Sequence, residues 1–521
     1  MFPGVHAAST PDKAAVTMAE SGLTLSYRRL NDRSMQLAQC LRDHAISGGQ
    51  VLAVLMENRP ELFESYWAAM RSGLYFTAVN THLASDEVGY IIDNSNAAAF
   101  LTTGELASTI DSMCLDRCSV RLILDGTLAD FESFDAAIGG YPAQRLPDER
   151  RGDTLLFSSG TTGRPKGIKR ELRGLALDDP AGASLARMGR HLLGMDEHTV
   201  YLSPAPLYHT APLGWSTAIH ELGGTVVVME SFDAEAFLAA IERYRVTHTQ
   251  VVPTMLVRLL KLSESVRRGY DLSSLRSVVH AAAPCPVDVK LATIDWLGPI
   301  VDEYYSGTEG VGFTFINAHD WLAHRGSVGK PIVGVPHICD DAGAELGPGE
   351  AGLLYFEMAG PRFEYHDDPE KTAQSRHPFH DNWATLGDIG FLDPDGYVYL
   401  TDRKSFTIIS GGVNIYPAEI EACLIMHPDI IDIAVFGLPD PEMGEYVHAV
   451  VQLQSHAEPS PELAEELRSY ARNALAGYKV PRIIDFRAEL PRLPTGKLAK
   501  GGLRAEFLRG TPPPEPSLPG R

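Results

Sequence analysis

Residues Leu155–Lys169 read LLFSSGTTGRPKGIK, and both fold and chemistry can be worked outward from that stretch. An apolar run suited to a strand, Leu155 to Phe157, empties into Ser158, Ser159, Gly160, Thr161, Thr162 and Gly163, followed by Pro165, Lys166 and Gly167. Glycines let the backbone turn through positive φ and bring N–H groups close to a ligand. Four hydroxyls add donors and Lys166 adds a charge, so the loop is built to hold an anion, and a polyphosphate suits it. It is not a Walker loop: five positions after Gly160 stands Pro165, where that motif has a glycine before its lysine.

On either side the chain alternates short apolar runs with helical patterns. Helices are expected at Leu25–Cys40, from Pro60 to Met70, and at Ser85–Asp93; strands at Val51–Met56, Tyr75–Val79, Ala98–Thr102 and Arg121–Leu124. The rhythm resumes after the loop, with strands near Val200, Thr225–Met229 and Thr249–Val252 and helices at Ala234–Tyr244 and Pro253–Leu262. Alternation of this kind implies parallel sheets covered by helices, here two doubly wound units. From about Gly326 to Leu400, glycines, prolines and short alternating runs such as LLYFEM and YVYL predict hairpins and a small β subdomain. The tail from Gly510, GTPPPEPSLPGR, has the composition of a disordered segment.

With 521 residues, 44% of them hydrophobic and 21% charged, there is material for more than one core. A formal charge of −22 and a pI near 5.2 argue against sequence-independent nucleic-acid binding, which depends on neutralising phosphates with Lys and Arg. The cysteines, Cys40, Cys114, Cys118, Cys285, Cys339 and Cys423, are scattered, and the close pair Cys114/Cys118 has no second pair to complete a zinc site. Reduced thiols in a cytoplasmic protein are expected. The N-terminus lacks a basic segment followed by an apolar one, and no apolar run reaches the roughly 18 residues of a membrane span.

At the loop Ser158–Lys166 the chain resembles the acyl-adenylate-forming superfamily, which includes acyl-CoA synthetases, beetle luciferases and the adenylation domains of peptide synthetases. The resemblance runs from residue 20 to 505 and makes Ser158, Ser159, Gly160, Thr161, Thr162, Gly163 and Lys166 the ATP phosphate loop. Further matches follow in the order the family requires. In DEYYSGTEG (Asp302–Gly310), Tyr305 corresponds to the aromatic lying on the adenine, Thr308 to the threonine touching phosphate, and Glu309 to the glutamate that helps hold Mg2+. A flat ring suits a base, and a carboxylate suits a hard cation bridging phosphates. The family has glycine directly after the aromatic, whereas this chain has Ser306 and then Gly307, a swap that falls on the wall of the acyl pocket.

In WATLGDIG, Asp388 matches the carboxylate that takes the ribose hydroxyls, and in TDRKSFTIISGGVNIYP, Arg403 matches the ribose-contacting arginine. Ser405 stands where many relatives carry an Asp or Lys hinge between domains. A hinge needs backbone freedom more than a given side chain. Gly411 and Gly412 match the segment past which the pantetheine arm of CoA runs. In PRLPTGKLAK, Lys497 matches the catalytic lysine that bridges acyl carboxylate and α-phosphate, where negative charge builds on both groups at once. His209, in APLYHTAPLGW, corresponds to the family segment bordering the acyl pocket. Trp215 is expected to limit its depth, while Ser306 and Gly307, with Gly310 and Gly312, form the other wall and leave space for substrate. His377 and His380 read as loop residues and His280 as packed.

The expected fold is α/β: a large N-terminal domain (1–402) of two doubly wound β/α units plus a small β subdomain, a smaller mobile α+β domain (403–509), and the proline-rich tail (510–521). The resemblance implies an ATP-dependent carboxylic acid:CoA ligase using Mg2+ and forming acyl-AMP. Fatty acids come first as substrates and aromatic or other acids second, in a cytoplasmic monomer or homodimer. A carrier-protein-loading adenylating enzyme and a catalytically silent nucleotide-binding protein are the other readings.

Overall fold

The computed structural model describes residues 2–108, 110, 112–158, 165–359, 363–403, 406–411, 413–492 and 498–510. The chain divides into two compact units. One comprises residues 1–282, 297–310 and 359–374; the other comprises residues 283–296, 311–358 and 375–521.

The first unit contains two largely parallel sheets. In one, the order is Glu132–Ser133, Val120–Leu124, Ala97–Thr103, Val51–Leu55, Tyr75–Ala78 and Asp153–Thr154, all parallel. Its central strands are buried along their whole length, which is why they read as unbroken apolar runs instead of alternating ones. The flanking helices start where the sequence provides caps. Ser26 Oγ accepts from the Arg29 N–H at the head of Tyr27–Asp43, and Pro60 opens Pro60–Arg71.

The second sheet of this unit runs Val301–Tyr305, Ser277–His280, His248–Val251, Val200–Ser203, Thr225–Val228 and Ala14–Met18 in parallel, with Thr24–Ser26 antiparallel at the edge. Open parallel sheets bind ligands beyond the carboxyl ends of their strands. The Tyr305–Gly310 turn leaves the sheet at that edge. A small antiparallel ribbon pairs Leu156–Ser158 with Lys166–Lys169 and the latter with Glu364–Tyr365.

The second unit is antiparallel where its sequence alternates. Val335–Cys339, Gly352–Glu357, Trp383–Leu392, Val398–Arg403, Ser327–Val333 and Phe313–Ile316 follow one another across a sheet. A C-terminal sheet takes Val413–Ile415, Ile408–Ser410, Gly444–Leu453 and Ile430–Asp440 antiparallel, with Ile483–Arg487 parallel to Gly444–Leu453. Helices Pro417–Leu424 and Pro461–Ala474 bury Ile420, Leu424, Leu463 and Leu467 with Val435, Ala449 and Val451 of this sheet. Among the described residues no helix is long and apolar enough to cross a membrane. The α/β class and the smaller C-terminal domain agree with the sequence reading. The expected helix Ala234–Tyr244 is found at those bounds.

Candidate active site

Much of the predicted phosphate loop, Ser159 to Gly163, lies outside the described residues, as do Ser405, Gly412, Lys497 and the side chains of Ser158 and Arg403. What is described is the frame around the loop. Ser158 and Lys166 are cross-strand partners, and Gly167 accepts at its carbonyl from the His366 N–H, 2.7 Å away. The Lys166 ammonium lies 3.6 Å from Asp368 Oδ2 and 5.9 Å from the centroid of the Tyr365 ring.

The turn after Val301–Tyr305 carries the next three predicted residues. Tyr305, Thr308 and Glu309 are all partly buried, and the turn is closed by the Gly310 N–H donating to the Gly307 carbonyl at 3.0 Å. Thr308 Oγ1 is 2.8 Å from Thr210 Oγ1, and Glu309 Oε1 accepts from the Tyr365 hydroxyl at 2.9 Å. Thr210 opens the helix Thr210–Leu222, whose N-cap is His209. A run of contacts thus joins Thr210, Thr308, the neighbouring Glu309, Tyr365, Lys166 and Asp368. The carboxylate, hydroxyls and ammonium in it have the chemistry to take a nucleoside triphosphate with its divalent cation.

Trp215 is buried on the same helix, and its Nε1–H donates to Tyr304 Oη at 3.2 Å. A Cβ at Gly189 would come 3.1 Å from the indole ring, so the helix Ser184–Leu193 packs closely over it. Burial pushes the Tyr304 phenol up to about 12, against a smaller opposing effect of the Trp215 hydrogen bond. Tyr304 is therefore a neutral phenol at physiological pH.

In the second unit Asp388 is buried in Trp383–Leu392, in register with Arg403 on the neighbouring strand. Gly411 has φ +57°, a left-handed conformation that favours glycine, while the Met443 Cε that a Cβ would meet at 2.5 Å is the movable end of an exposed side chain. A Cβ at Gly312 would sit 2.4 Å from the Phe356 ring, so this glycine makes room for the protein's own aromatic side chain. His280 is fully buried with Nε2 3.3 Å from Glu303 Oε2. His377 holds a turn, its Nδ1 accepting from the N–H groups of Phe379 and His380. His280 is packed and His377 lies in a loop, as the sequence suggests. Tyr365 and Asp368 are not singled out by the sequence, and Thr210 and Tyr304 stand in its motifs without a role of their own. Each is a common residue in an ordinary local pattern, and only the folded chain brings it to the site.

Residues 5–361 match the AMP-binding enzyme family and residues 419–497 its C-terminal domain. The chain belongs to this family, the adenylate-forming enzymes. It is 33% identical over 509 residues to a feruloyl-CoA synthase of Amycolatopsis sp., covering 97% of this chain and 98% of that one. It is 30% identical over 510 residues to a fatty acid–[acyl-carrier-protein] ligase of Streptomyces coeruleorubidus, covering 96% and 95%. Among solved structures it superposes with a TM-score of 0.83 on an anthranilate CoA ligase in complex with anthranoyl-AMP, at 26% identity and over 97% of each chain. The chain is accordingly an AMP-forming ligase working through an acyl-adenylate.

Proposed function

We propose that this enzyme is an ATP- and Mg2+-dependent carboxylic acid:CoA ligase whose preferred acids are aromatic. The observation that carries this reading is the 2.8 Å contact between Thr210 and Thr308. Thr210 heads the helix that bears the acyl-side residues His209 and Trp215, and Thr308 sits on the phosphate-side turn. On this reading the two halves of an acid-activating site would meet at that pair of hydroxyls. Trp215 and Tyr304, a buried pair of rings with centroids 6.0 Å apart, would stand behind the acyl side as an aromatic wall.

Tyr305 would lie on the adenine, while Asp388 and Arg403 would take the ribose. Glu309 would offer a carboxylate oxygen to Mg2+. When bound, the cation supplies charge neutralisation at the phosphates. Lys497 would bridge the acid carboxylate and the α-phosphate as charge develops on both. Carboxylates are poor electrophiles, and the mixed anhydride gives CoA thiolate a leaving group to displace. The residues after 402 would form the domain that moves between the two steps, with Gly411 and Gly412 beside the pantetheine arm.

The fatty-acid reading ranks second, because the feruloyl and anthranilate relatives favour rings. The carrier-protein relative supports one competing acceptor. A panel of aromatic and fatty acids, each scored for AMP formation with CoA and with a holo carrier protein, tests both choices. Higher kcat/KM for aromatic acids with CoA is expected. Faster turnover of fatty acids, or turnover only with the carrier, would overturn the corresponding half of the proposal.

A further inference from the structure

The segment Phe363–Thr372 belongs to none of the motifs used above, yet it touches two of them. Its backbone is pinned on both sides. Ile168 and Lys169 pair with Tyr365 and Glu364, and the Tyr365 N–H donates to Thr372 Oγ1 at 3.0 Å. Thr372 Oγ1 in turn donates to the Asp368 carbonyl at 2.9 Å, and His366 Nε2 lies 2.9 Å from the Asn94 carbonyl. The Tyr365 ring is buried, edge-on to Phe363 at 5.2 Å. The phenol is therefore a fixed point, and its hydroxyl reaches one oxygen of Glu309, the side chain assigned to the cation.

A glutamate on a turn has three rotatable bonds, and a cation ligand gains when they are frozen before the ion arrives. The outer hydrogen-bond partners of metal-ligating carboxylates do this work, and losing one typically costs 10–100-fold in metal affinity. Tyr365 donates to Oε1, and Oε2 would be the oxygen offered to a cation. The same strand pair carries Lys166, so the phosphate-side ammonium and the phenol that holds the Glu309 carboxylate sit on one ribbon.

We propose that Tyr365 is the positioning residue for Glu309, holding its carboxylate in the cation-binding orientation and thereby setting the Mg2+ requirement of ATP binding. This rests on the assignment of Glu309 to the cation. Tyr365→Phe removes only the hydroxyl and keeps the ring, its packing on Phe363 and its place under Lys166. ATP binding is followed by isothermal titration calorimetry at fixed ATP and increasing Mg2+, without acid or CoA, so that turnover plays no part. The half-saturating Mg2+ is expected to rise about tenfold in the variant. Metal-free ATP affinity should change less than about twofold, since an uncharged ring replaces an uncharged ring. In a Glu309→Gln background, Tyr365→Phe should add nothing further. Superimposable Mg2+ titrations of wild type and Tyr365→Phe, or an equal shift in the Glu309→Gln background, would overturn the proposal. If wild type and Glu309→Gln share one titration, the assignment of Glu309 itself is wrong and the proposal falls with it. Thermal melting of the variant guards against misfolding. If Tyr365→Phe does not fold, Phe363→Leu, which keeps the phenol but loosens its seat, should give a smaller shift in the same direction, and an unchanged titration would again overturn it.

Discussion

The helix Thr210–Leu222 and the C-terminal sheet of residues 408–487 are held by different physics. The helix buries Trp215 and His220 beside neutral partners: Trp215 donates to Tyr304, and Trp67 donates to His220 Nδ1 at 3.2 Å. The C-terminal region instead places ion pairs on its surface, Lys479–Glu419 at 2.6 Å, Arg487–Glu506 at 2.7 Å and Arg504–Glu445 at 2.7 Å. It also leaves Ile409, Val413 and Met443 exposed around Gly411. Buried neutral contacts are expensive to break, whereas exposed ion pairs are worth little and fade with salt. The helix should therefore set substrate choice and stability, and the C-terminal region should act on the chemistry through single residues while tolerating changes to its surface.

The largest expected effect tests the chemical half of that contrast. Lys497→Ala should slow adenylation by about 10² to 10³, the range for losing one preorganised charge-stabilising donor, without altering the melting temperature by more than a degree or two. Thioester formation from acyl-AMP supplied ready-made should be spared. Pyrophosphate release and acyl-CoA formation, measured separately, decide it. Loss of both half-reactions would make the lysine general to the site instead of specific to one step.

His220 tests the stability half. Burial, with Phe63 edge-on at 4.9 Å, lowers its pKa to about 3. The folded protein therefore refuses a proton that the unfolded chain accepts below pH 6.5. The stability from this neutral histidine is fully present above pH 6.5 and is lost as pH falls toward 3. At pH 5 the loss is about 2 kcal/mol, at about 1.36 kcal/mol per unit. His220→Gln, which keeps an acceptor for Trp67 but cannot titrate, should be less stable at pH 8 yet show an acid limb flatter by about that amount. Urea midpoints from pH 8 to pH 5 give the comparison. Parallel limbs would show that His220 is protonated in the fold.

These contacts mark where sequence reading reached its limit. Strands such as Ala97–Thr103 were legible because a strand buried on both faces must be apolar throughout, and Ala234–Tyr244 because Asp233 caps a periodic run. The residues of the Thr308–Glu309 turn were legible because a short motif carries them. The partners were not. Tyr365 stands 56 residues from Glu309 and Tyr304 stands 89 from Trp215, and no local pattern encodes such a meeting. Gly312 shows a related limit: a glycine declares that space is needed, but the sequence does not say that Phe356 lies against it.

Trp215→Phe probes the same helix at lower cost. It removes the donor to Tyr304 and part of the ring volume while keeping an aromatic wall. Apolar pockets discriminate by only about 1–3 kcal/mol per methylene. The kcat/KM for acids one or two carbons longer should therefore rise about tenfold relative to the wild-type preference. Identical acid profiles would place Trp215 in the core and outside the substrate's reach.

The smallest effect is expected on the surface of the C-terminal region, and it carries the contrast to its other limit. Glu506 faces Arg487 across 2.7 Å, but the two side chains are 46% and 36% exposed. Water and ions compete for both charges, and two long side chains must be held still, so a pair of this kind contributes about 0.2–1 kcal/mol. Glu506→Gln keeps the shape and removes the charge. It should lower the urea midpoint by no more than that energy allows at low salt, and by nothing measurable at about 1 M salt, where the screening length falls to about 3 Å. The same substitution should leave both half-reactions unchanged, since Arg487 keeps its place over the Phe507 ring at 5.6 Å. A loss above about 2 kcal/mol that persists in high salt would mean the pair acts as a buried one. The division between an expensive interior and an inexpensive surface would then fail in the region where it was drawn most sharply.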